Sequence, residues 1–240
     1  MTPSIVVNKV SKSFGKKEVL QNVDLTVVPG QIYGLIGPSG SGKTTLVKLI
    51  VGMDRPSKGD IRVLDTPVPN LKLLQKIGYM AQSDALYNDL TARENLAFFA
   101  SLFKLKKQEQ TERIAYAADL VHLTSELSKK VQAFSGGMKR RLSLAIALIQ
   151  DPQVLILDEP TVGIDPELRL SIWQELYRLK NDGKTILVTT HVMDEAEKCD
   201  ELAMIRDGRL ITSGSPTELK EQYGIQSLEE VFLKAGSVGQ

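Results

Sequence analysis

The segment from Gly37 to Thr44 constrains the fold of this chain more than any other. It has the sequence G-P-S-G-S-G-K-T and fits the pattern G-x-x-x-x-G-K-[ST]. An apolar run at 32–36 precedes it, and apolar residues at helical spacing follow it from Leu46 to Ile50. This order of strand, loop and helix predicts an α/β fold in which the loop curls its backbone N–H groups around phosphate oxygens.

The residues of this loop have separate predicted roles. Its glycines allow the tight turn, Lys43 supplies positive charge for the β- and γ-phosphates of a nucleotide, and the Thr44 hydroxyl can ligate Mg²⁺. The helix that follows presents its positive dipole end to the same anion. The alternative, a Gly/Ser-rich turn without a ligand, leaves the flanking strand and helix unexplained. The predicted nucleotide-binding residues here are Gly37, Pro38, Ser39, Gly40, Ser41, Gly42, Lys43, Thr44 and Thr45.

Two adjacent acids, Asp158 and Glu159, form a second chemical feature. They follow the continuous apolar run Val154–Leu157, which predicts a parallel strand covered on both faces. Ligands of open α/β sheets bind at the C-terminal ends of strands. There Asp158 can hold Mg²⁺ through water, and Glu159 can polarise a water for attack on a γ-phosphate. The alternative is a pair of acids that caps the next turn, but the phosphate loop favours hydrolysis.

Composition excludes several other functions. The chain has 30 basic and 29 acidic residues, so a basic face for nucleic acid is not predicted. Cys199 is the single cysteine, which rules out an internal disulfide and favours a reducing compartment. We find neither a signal segment nor an apolar run of the roughly 18–20 residues needed to cross a bilayer. We therefore expect a cytosolic protein that reaches a membrane only through a partner.

The chain alternates between strand-rich and helical segments. Apolar alternation at Val23–Val27 and Ile61–Val63 predicts short strands, and Thr91–Glu94 has the form of a capping box. Asp207-Gly208 predicts a hairpin. We expect the amphipathic segment Ser227–Leu233 to dock on its own domain, with a partner contact as the alternative. We therefore predict one domain, 1–240, with an α/β core (1–83 and 152–220), a helical subdomain (84–151) and a helical tail (221–240).

Between the phosphate loop and the two acids lies Phe134–Arg141, with the sequence F-S-G-G-M-K-R-R. It predicts a helix that is capped by Ser135 and whose free N–H groups face outward. The two glycines allow this tip to approach a γ-phosphate closely. The alternative is a capped helix with nothing bound. The three features in this order resemble the nucleotide-binding domain of ATP-binding cassette (ABC) transporters over residues 4–220.

The resemblance implies a P-loop NTPase (RecA-like) core with a mixed sheet, an N-terminal antiparallel β subdomain and an inserted helical subdomain. It implies hydrolysis of ATP to ADP and phosphate with Mg²⁺, by two such domains that sandwich two ATP molecules head-to-tail. Ser135, Gly136 and Gly137 of one domain would then cap the nucleotide of the other. We expect the second domain to be an identical copy, with a paralogue as the alternative. Polytopic permease subunits would anchor both at the cytoplasmic face of the cell membrane.

The resemblance also assigns individual residues. Phe14 matches the ring that stacks on adenine, where the family more often has Tyr; the alternative is a ring packed under the sheet. Gln82 matches a glutamine that senses Mg²⁺ and water, and 86–90 would face the permease. Asp165 is predicted as a helix N-cap and matches a loop at the dimer interface. His191 matches a switch histidine at the γ-phosphate. The implied catalytic residues are Glu159, His191 and Lys43, and the implied metal-site residues are Thr44, Gln82 and Asp158.

The finer class follows from the F-S-G-G-M-K-R segment. Met138 replaces the commoner Gln of the family, and Phe134 its commoner Leu; both departures resemble ATPase subunits of ABC-2-type exporters of drugs, antibiotics or sodium. Two rival functions stay open. One is a soluble cassette ATPase that acts on DNA or ribosomes, although this chain has one cassette and no long coiled coil. The other is an ATP-gated scaffold with little turnover that tethers a membrane complex, against which Glu159 and His191 argue.

Overall fold

A computed structural model describes residues 2–83 and 85–237. Residues 1, 84 and 240, which are limits of the predicted domain and its parts, lie outside the described residues. The strands are β1 (Ile5–Phe14), β2 (Lys17–Val27), β3 (Ile32–Ile36), β4 (Lys58–Val63), β5 (Thr66–Pro67), β6 (Ile77–Met80), β7 (Val154–Asp158), β8 (Thr185–Thr190), β9 (Glu201–Arg206) and β10 (Arg209–Gly214). The α-helices are α1 (Lys43–Ile50), α2 (Ala92–Leu102), α3 (Lys107–Leu120), α4 (Gly136–Leu148), α5 (Pro166–Asn181), α6 (Met193–Ala196), α7 (Pro216–Tyr223) and α8 (Leu228–Ala235).

The chain divides into two compact units. The first comprises Met1–Leu73 and Thr185–Gln240, and the second comprises Leu74–Lys184. The predicted helices of the middle segment, α2 to α4, all belong to the second unit. The phosphate loop belongs to the first.

An antiparallel sheet forms the N-terminal part of the first unit. Its strand order is β2-β1-β4-β5, and Ile5 of β1 lies opposite Val27 on one side and Val63 on the other. Alternate residues of these strands are buried, among them Val23 and Ile61. The two strands predicted from alternating apolar residues are therefore confirmed, and their burial explains the alternation.

The first unit also contains parallel strands that position the phosphate loop. Here the order is β10-β9-β3-β8, with β3 parallel to both neighbours and β10 antiparallel to β9. Every residue of β3 and β8 is buried, as expected for strands covered on both faces. The β9–β10 hairpin turns at Asp207-Gly208, where φ is 50° and 76°, so the predicted hairpin is confirmed.

The second unit places helices around a pair of strands. β6 and β7 are parallel, and Met80 lies opposite Leu157. The capping box at the start of α2 is confirmed because the Thr91 hydroxyl accepts from Glu94 N at 3.1 Å and the Glu94 carboxylate accepts from Thr91 N at 2.7 Å. The bond from Thr91 N, and then a second bond in which the Thr91 hydroxyl donates to the same carboxylate at 2.8 Å, lower the pKa of Glu94.

The last helix, α8, docks on its own unit as predicted. It buries Leu228, Val231 and Phe232, and the Arg206 guanidinium lies 4.7 Å from the centre of the Phe232 ring. This contact combines apolar burial with a cation–π interaction. None of the helices in residues 2–83 and 85–237 combines the length and the apolar character that a bilayer crossing needs.

Candidate functional site

The phosphate loop connects β3 to α1 in the first unit. Gly42 is the N-cap of α1 and has φ 107°, a conformation that strongly favours glycine. A Cβ atom at Gly37 would overlap the carbonyl oxygen of Ile205, so only glycine fits there as well. The first turn of α1 contains no acidic residue, which leaves its positive end available to an anion.

Lys43 is the first residue of α1 and points back into the loop. Its side chain is 5% exposed, and Nζ donates to the carbonyl oxygens of Gly37 at 2.7 Å and Pro38 at 3.0 Å. The loop thus encloses an ammonium group at the position where a phosphate-binding loop needs its charge.

Ser41 provides an independent test of whether the loop fits a phosphate. The residue is 3% exposed, and its hydroxyl has no hydrogen-bond partner within the part of the chain that the structure describes. Buried polar atoms are rarely left unsatisfied. A phosphate oxygen bound in the loop would satisfy this hydroxyl. Thr44 and Thr45 follow in α1 and are half-buried.

Phe14 ends β1 with its ring 53% exposed. The alternative that it packs under the sheet is therefore wrong, and stacking on adenine stays a prediction. One side of the ring faces Lys12, whose Nζ lies 4.8 Å from the ring centre. Lys12 is held in turn by an ion pair with Asp54 and a hydrogen bond to the Arg55 carbonyl, both 2.8 Å.

His191 follows the end of β8 and is exposed. The turn that carries it is fixed by Thr190, whose hydroxyl accepts from Val192 N at 3.0 Å and donates to the Glu195 carboxylate at 2.7 Å. Thr190 is 1% exposed and Glu195 is 3% exposed. Sequence reasoning missed this buried pair, because nothing in a T-T-H-V-M-D-E segment indicates which hydroxyl meets which acid.

In the second unit the structure brings two predicted site residues together. Gln82 follows β6 and Glu159 follows β7, and the Gln82 amide donates to the Glu159 carboxylate at 3.3 Å. Parallel pairing of β6 and β7 explains this, because it places their C-terminal ends side by side. Asp158, the last residue of β7, is fully buried. Burial, and then the nearby Asp158 carboxylate, raise the pKa of Tyr79 to about 12.

Glu159 has an unusual backbone. Its φ is 53°, in the left-handed region that residues other than glycine seldom adopt. Such strain persists only where surrounding contacts impose it, and it concentrates at functional sites. The proposed base is thus held in a conformation that a simple turn-capping acid would not require.

The helix predicted from the S-G-G segment is confirmed as α4. Ser135 is its N-cap, with the hydroxyl accepting from Met138 N at 3.2 Å. Ser135 and Gly136 are exposed, and a Cβ atom added to Gly136 would meet nothing within 4 Å. Since the first turn of α4 carries no acid, its exposed tip offers free N–H groups to an anion.

The loop that contains Asp165 lies beside this tip. A Cβ atom on Gly137 would come within 3.3 Å of the Gly163 carbonyl oxygen. Asp165 caps α5 by accepting from Leu168 N at 2.9 Å, with Pro166 at the first helical position, so the predicted N-cap is confirmed. This hydrogen bond lowers the pKa of Asp165.

Arg140 is a residue of this region to which the sequence analysis gave no role. It lies in α4, is 8% exposed, and donates to carbonyl groups of Ala81, Gln82 and Glu159, among others. The sequence does not show that Arg140 is buried, on a helix that otherwise buries mainly small or apolar residues.

Comparison with known proteins places these features in a family. The sequence model of the ABC transporter family matches residues 20–162, more than half of the chain. The chain belongs to the ABC transporter family. It is similar to the Nod factor export ATP-binding protein I of Rhizobium meliloti, with 44% identity over 233 residues, 95% of this chain and 70% of that protein. The predicted class, an ABC-type ATPase subunit, is confirmed.

Solved structures of ABC proteins show the same fold. An ATP-binding subunit of an ABC transporter has a TM-score of 0.91 at 28% identity, and the matched region covers 98% of this chain and 100% of that subunit. A second similar structure is a dimeric ATP-binding cassette in a post-hydrolysis state, bound to ADP and phosphate. Its TM-score is 0.81 at 28% identity, and the matched region covers 88% of this chain and 98% of that cassette. The predicted α/β ABC ATPase fold is therefore confirmed.

Proposed function

We propose that this ABC ATPase powers export through separate membrane subunits and acts as a pair of cassettes that enclose ATP. The observation that carries the proposal is the exposed, serine-capped tip of α4, which carries two glycines and no acid. Such a tip suits the phosphate of a nucleotide held by another molecule. The similar protein of R. meliloti is named for the export of Nod factor, which supports export as the direction of transport.

Each predicted site residue has a proposed role in hydrolysis. Lys43 and the loop N–H groups stabilise the charge that develops on the γ-phosphate, His191 contacts that phosphate, and Phe14 stacks on adenine. Glu159 accepts a proton from the attacking water, while Gln82 orients the water and the Glu159 carboxylate. The 3.3 Å contact between Gln82 and Glu159 supports this pairing.

Mg²⁺ fits the same proposal. Thr44, Gln82 and Asp158 would hold it, and when bound it supplies positive charge at the β- and γ-phosphates. Within the described residues there is no cluster of three or more His, Cys, Asp or Glu side chains suited to a metal. Mg²⁺ typically keeps several waters and binds through one or two protein groups plus substrate phosphates.

The proposed assembly is a head-to-tail dimer. Ser135, Gly136 and Gly137 of one cassette would cap the ATP of its partner, and the adjacent Asp165 loop would lie at the interface. The dimeric cassette among the solved relatives supports the pairing of two cassettes. We also propose the subdomain limits given above and a position at the cytoplasmic face of the membrane, through a permease.

An aromatic surface on the second unit supports permease docking. Tyr87, Phe98 and Leu102 are 48%, 42% and 60% exposed, and the Tyr87 and Phe98 rings meet edge to face at 4.8 Å. Exposed aromatic clusters are typical of protein interfaces. This surface includes part of segment 86–90, for which the family resemblance implies a permease contact.

Phe98→Glu tests the coupling to a membrane partner. Burying a carboxylate in an apolar interface is strongly unfavourable, so we expect co-purification of the polytopic subunit from detergent-solubilised membranes to fall at least about tenfold. ATPase activity of the isolated chain should not change. Lys107→Glu, an exposed charge change on α3, serves as the matched control. Undiminished co-purification would count against docking here, and absence of any polytopic subunit from the wild-type pull-down would favour the soluble alternative.

A further inference from the structure

We propose that Arg140 is a positioning residue that couples the tip of α4 to the proposed base, Glu159. The inference rests on the proposed function, in which Glu159 activates water and Ser135 meets the partner's nucleotide. Arg140 follows Ser135 by five positions in the sequence. The two are thus separated by about one and a half turns of the same helix.

The guanidinium of Arg140 binds four carbonyl groups. Nη1 donates to Ala81 at 2.7 Å and Gln82 at 3.0 Å, while Nη2 donates to Asp158 and, at 2.6 Å, to Glu159. Its two terminal nitrogens carry four N–H groups in one plane, so each carbonyl receives its own donor. A lysine ammonium has three donors around a point and cannot reproduce this fork.

These carbonyls belong to the two chain segments that carry the proposed catalytic side chains. Ala81 and Gln82 follow β6, and Asp158 and Glu159 stand at the end of β7. Glu159 has φ 53°, and the bond from Arg140 to its carbonyl is one of the contacts that impose this conformation. Arg140 therefore sets the spacing of the segments whose side chains meet at 3.3 Å.

The same side chain links this geometry to the tip of α4. The first turns of an α-helix move together because their backbone hydrogen bonds connect each turn to the next. A shift of the tip when Ser135 meets a phosphate is therefore transmitted to Arg140, and through its carbonyl contacts to Glu159. In this way, engagement of a cassette's own helix with its partner adjusts the position of its Glu159, although hydrolysis in that cassette does not require this engagement.

Arg140→Lys tests the inference through a split between binding and turnover. We expect kcat for ATP hydrolysis to fall about 10²-fold, the loss typical of a catalytic group misplaced by an ångström, while the Kd for ATP stays within about twofold. Arg140→Met removes the charge, whereas Arg140→Lys leaves a charge with fewer hydrogen bonds. We expect the same changes in kcat and Kd for Arg140→Met as for Arg140→Lys. Arg113→Lys is the control, because Arg113 binds the carbonyls of Leu148 and Ile149 at the other end of α4.

A second measurement separates positioning from a merely structural role. If Arg140 acts through Glu159, Arg140→Lys should change single-turnover hydrolysis by no more than about twofold in a Glu159→Gln background. If Arg140→Lys lowered the hydrolysis rate by its full factor in that background as well, the coupling between Arg140 and Glu159 would be wrong, but the assignment of Glu159 as the base would stand. Parallel losses of folding and ATP affinity in both Arg140 variants would also overturn it. Normal turnover by Glu159→Gln itself would instead refute the base, and this inference with it.

Discussion

Glu159→Gln is expected to reduce the rate of ATP hydrolysis by about 10³-fold, within the range that general-base catalysis contributes. The amide keeps the size of the side chain but cannot accept the proton of the attacking water. Nucleotide binding depends on other residues, so ATP should remain bound and hold two cassettes together. Phosphate release should therefore fall while light scattering shows a doubled mass in the presence of ATP.

The structure explains why Glu159→Gln should lose hydrolysis but keep nucleotide binding. Glu159 lies after β7 and contacts the Gln82 amide, which can also hydrogen-bond to a glutamine at the same position. The backbone of Glu159 is held independently through its carbonyl. Glu221→Gln, at an exposed position in α7, is the control and should behave as wild type. A monomer with normal turnover would contradict the assignment of Glu159 as the base.

Lys43→Ala is expected to reduce ATP affinity by at least about 10²-fold, because truncating a buried, hydrogen-bonded charge costs several kcal/mol. The Lys43 ammonium is enclosed by its own loop, with bonds to the carbonyls of Gly37 and Pro38. Its removal takes away the charge for the phosphates and one hydrogen-bond donor from each of those two carbonyls. Titration calorimetry with ATP measures the effect directly.

Lys48→Ala provides a matched control on the same helix. Lys48 lies in the last turn of α1 and is exposed, so its removal should leave ATP affinity within about twofold of wild type, as surface substitutions usually do. If Lys43→Ala bound ATP as tightly as this control, the assignment of the loop at Gly37–Thr44 as the phosphate site would be wrong.

Features set by neighbouring residues could be predicted from the sequence. The caps at Ser135, Asp165 and Thr91 are examples, because an N-cap and its N–H partner lie three residues apart. The buried strand before Asp158 is another, because a continuous apolar run and a terminal acid suffice to indicate it. Much of the candidate site consists of such local signals.

The contacts that could not be predicted join residues far apart in the chain. Arg140 binds carbonyls 58 and 59 residues before it and 18 and 19 residues after it. Carbonyl groups are present at every position, so no sequence pattern marks the ones that an arginine will meet. The exposure of the Phe14 ring also depends on packing, and the sequence left it undecided.

The central claim, that one molecule completes the phosphate site of another, is tested most directly by mixing two inactive variants. Ser135→Arg blocks the tip of α4, and Lys43→Ala disables the loop. In a head-to-tail dimer the mixed pair retains one intact site, made from the loop of the first variant and the tip of the second. We expect the equimolar mixture to regain up to roughly a quarter of wild-type ATPase activity, since half of the dimers are mixed and each has one working site. Activity no higher than that of either variant alone would contradict the claim.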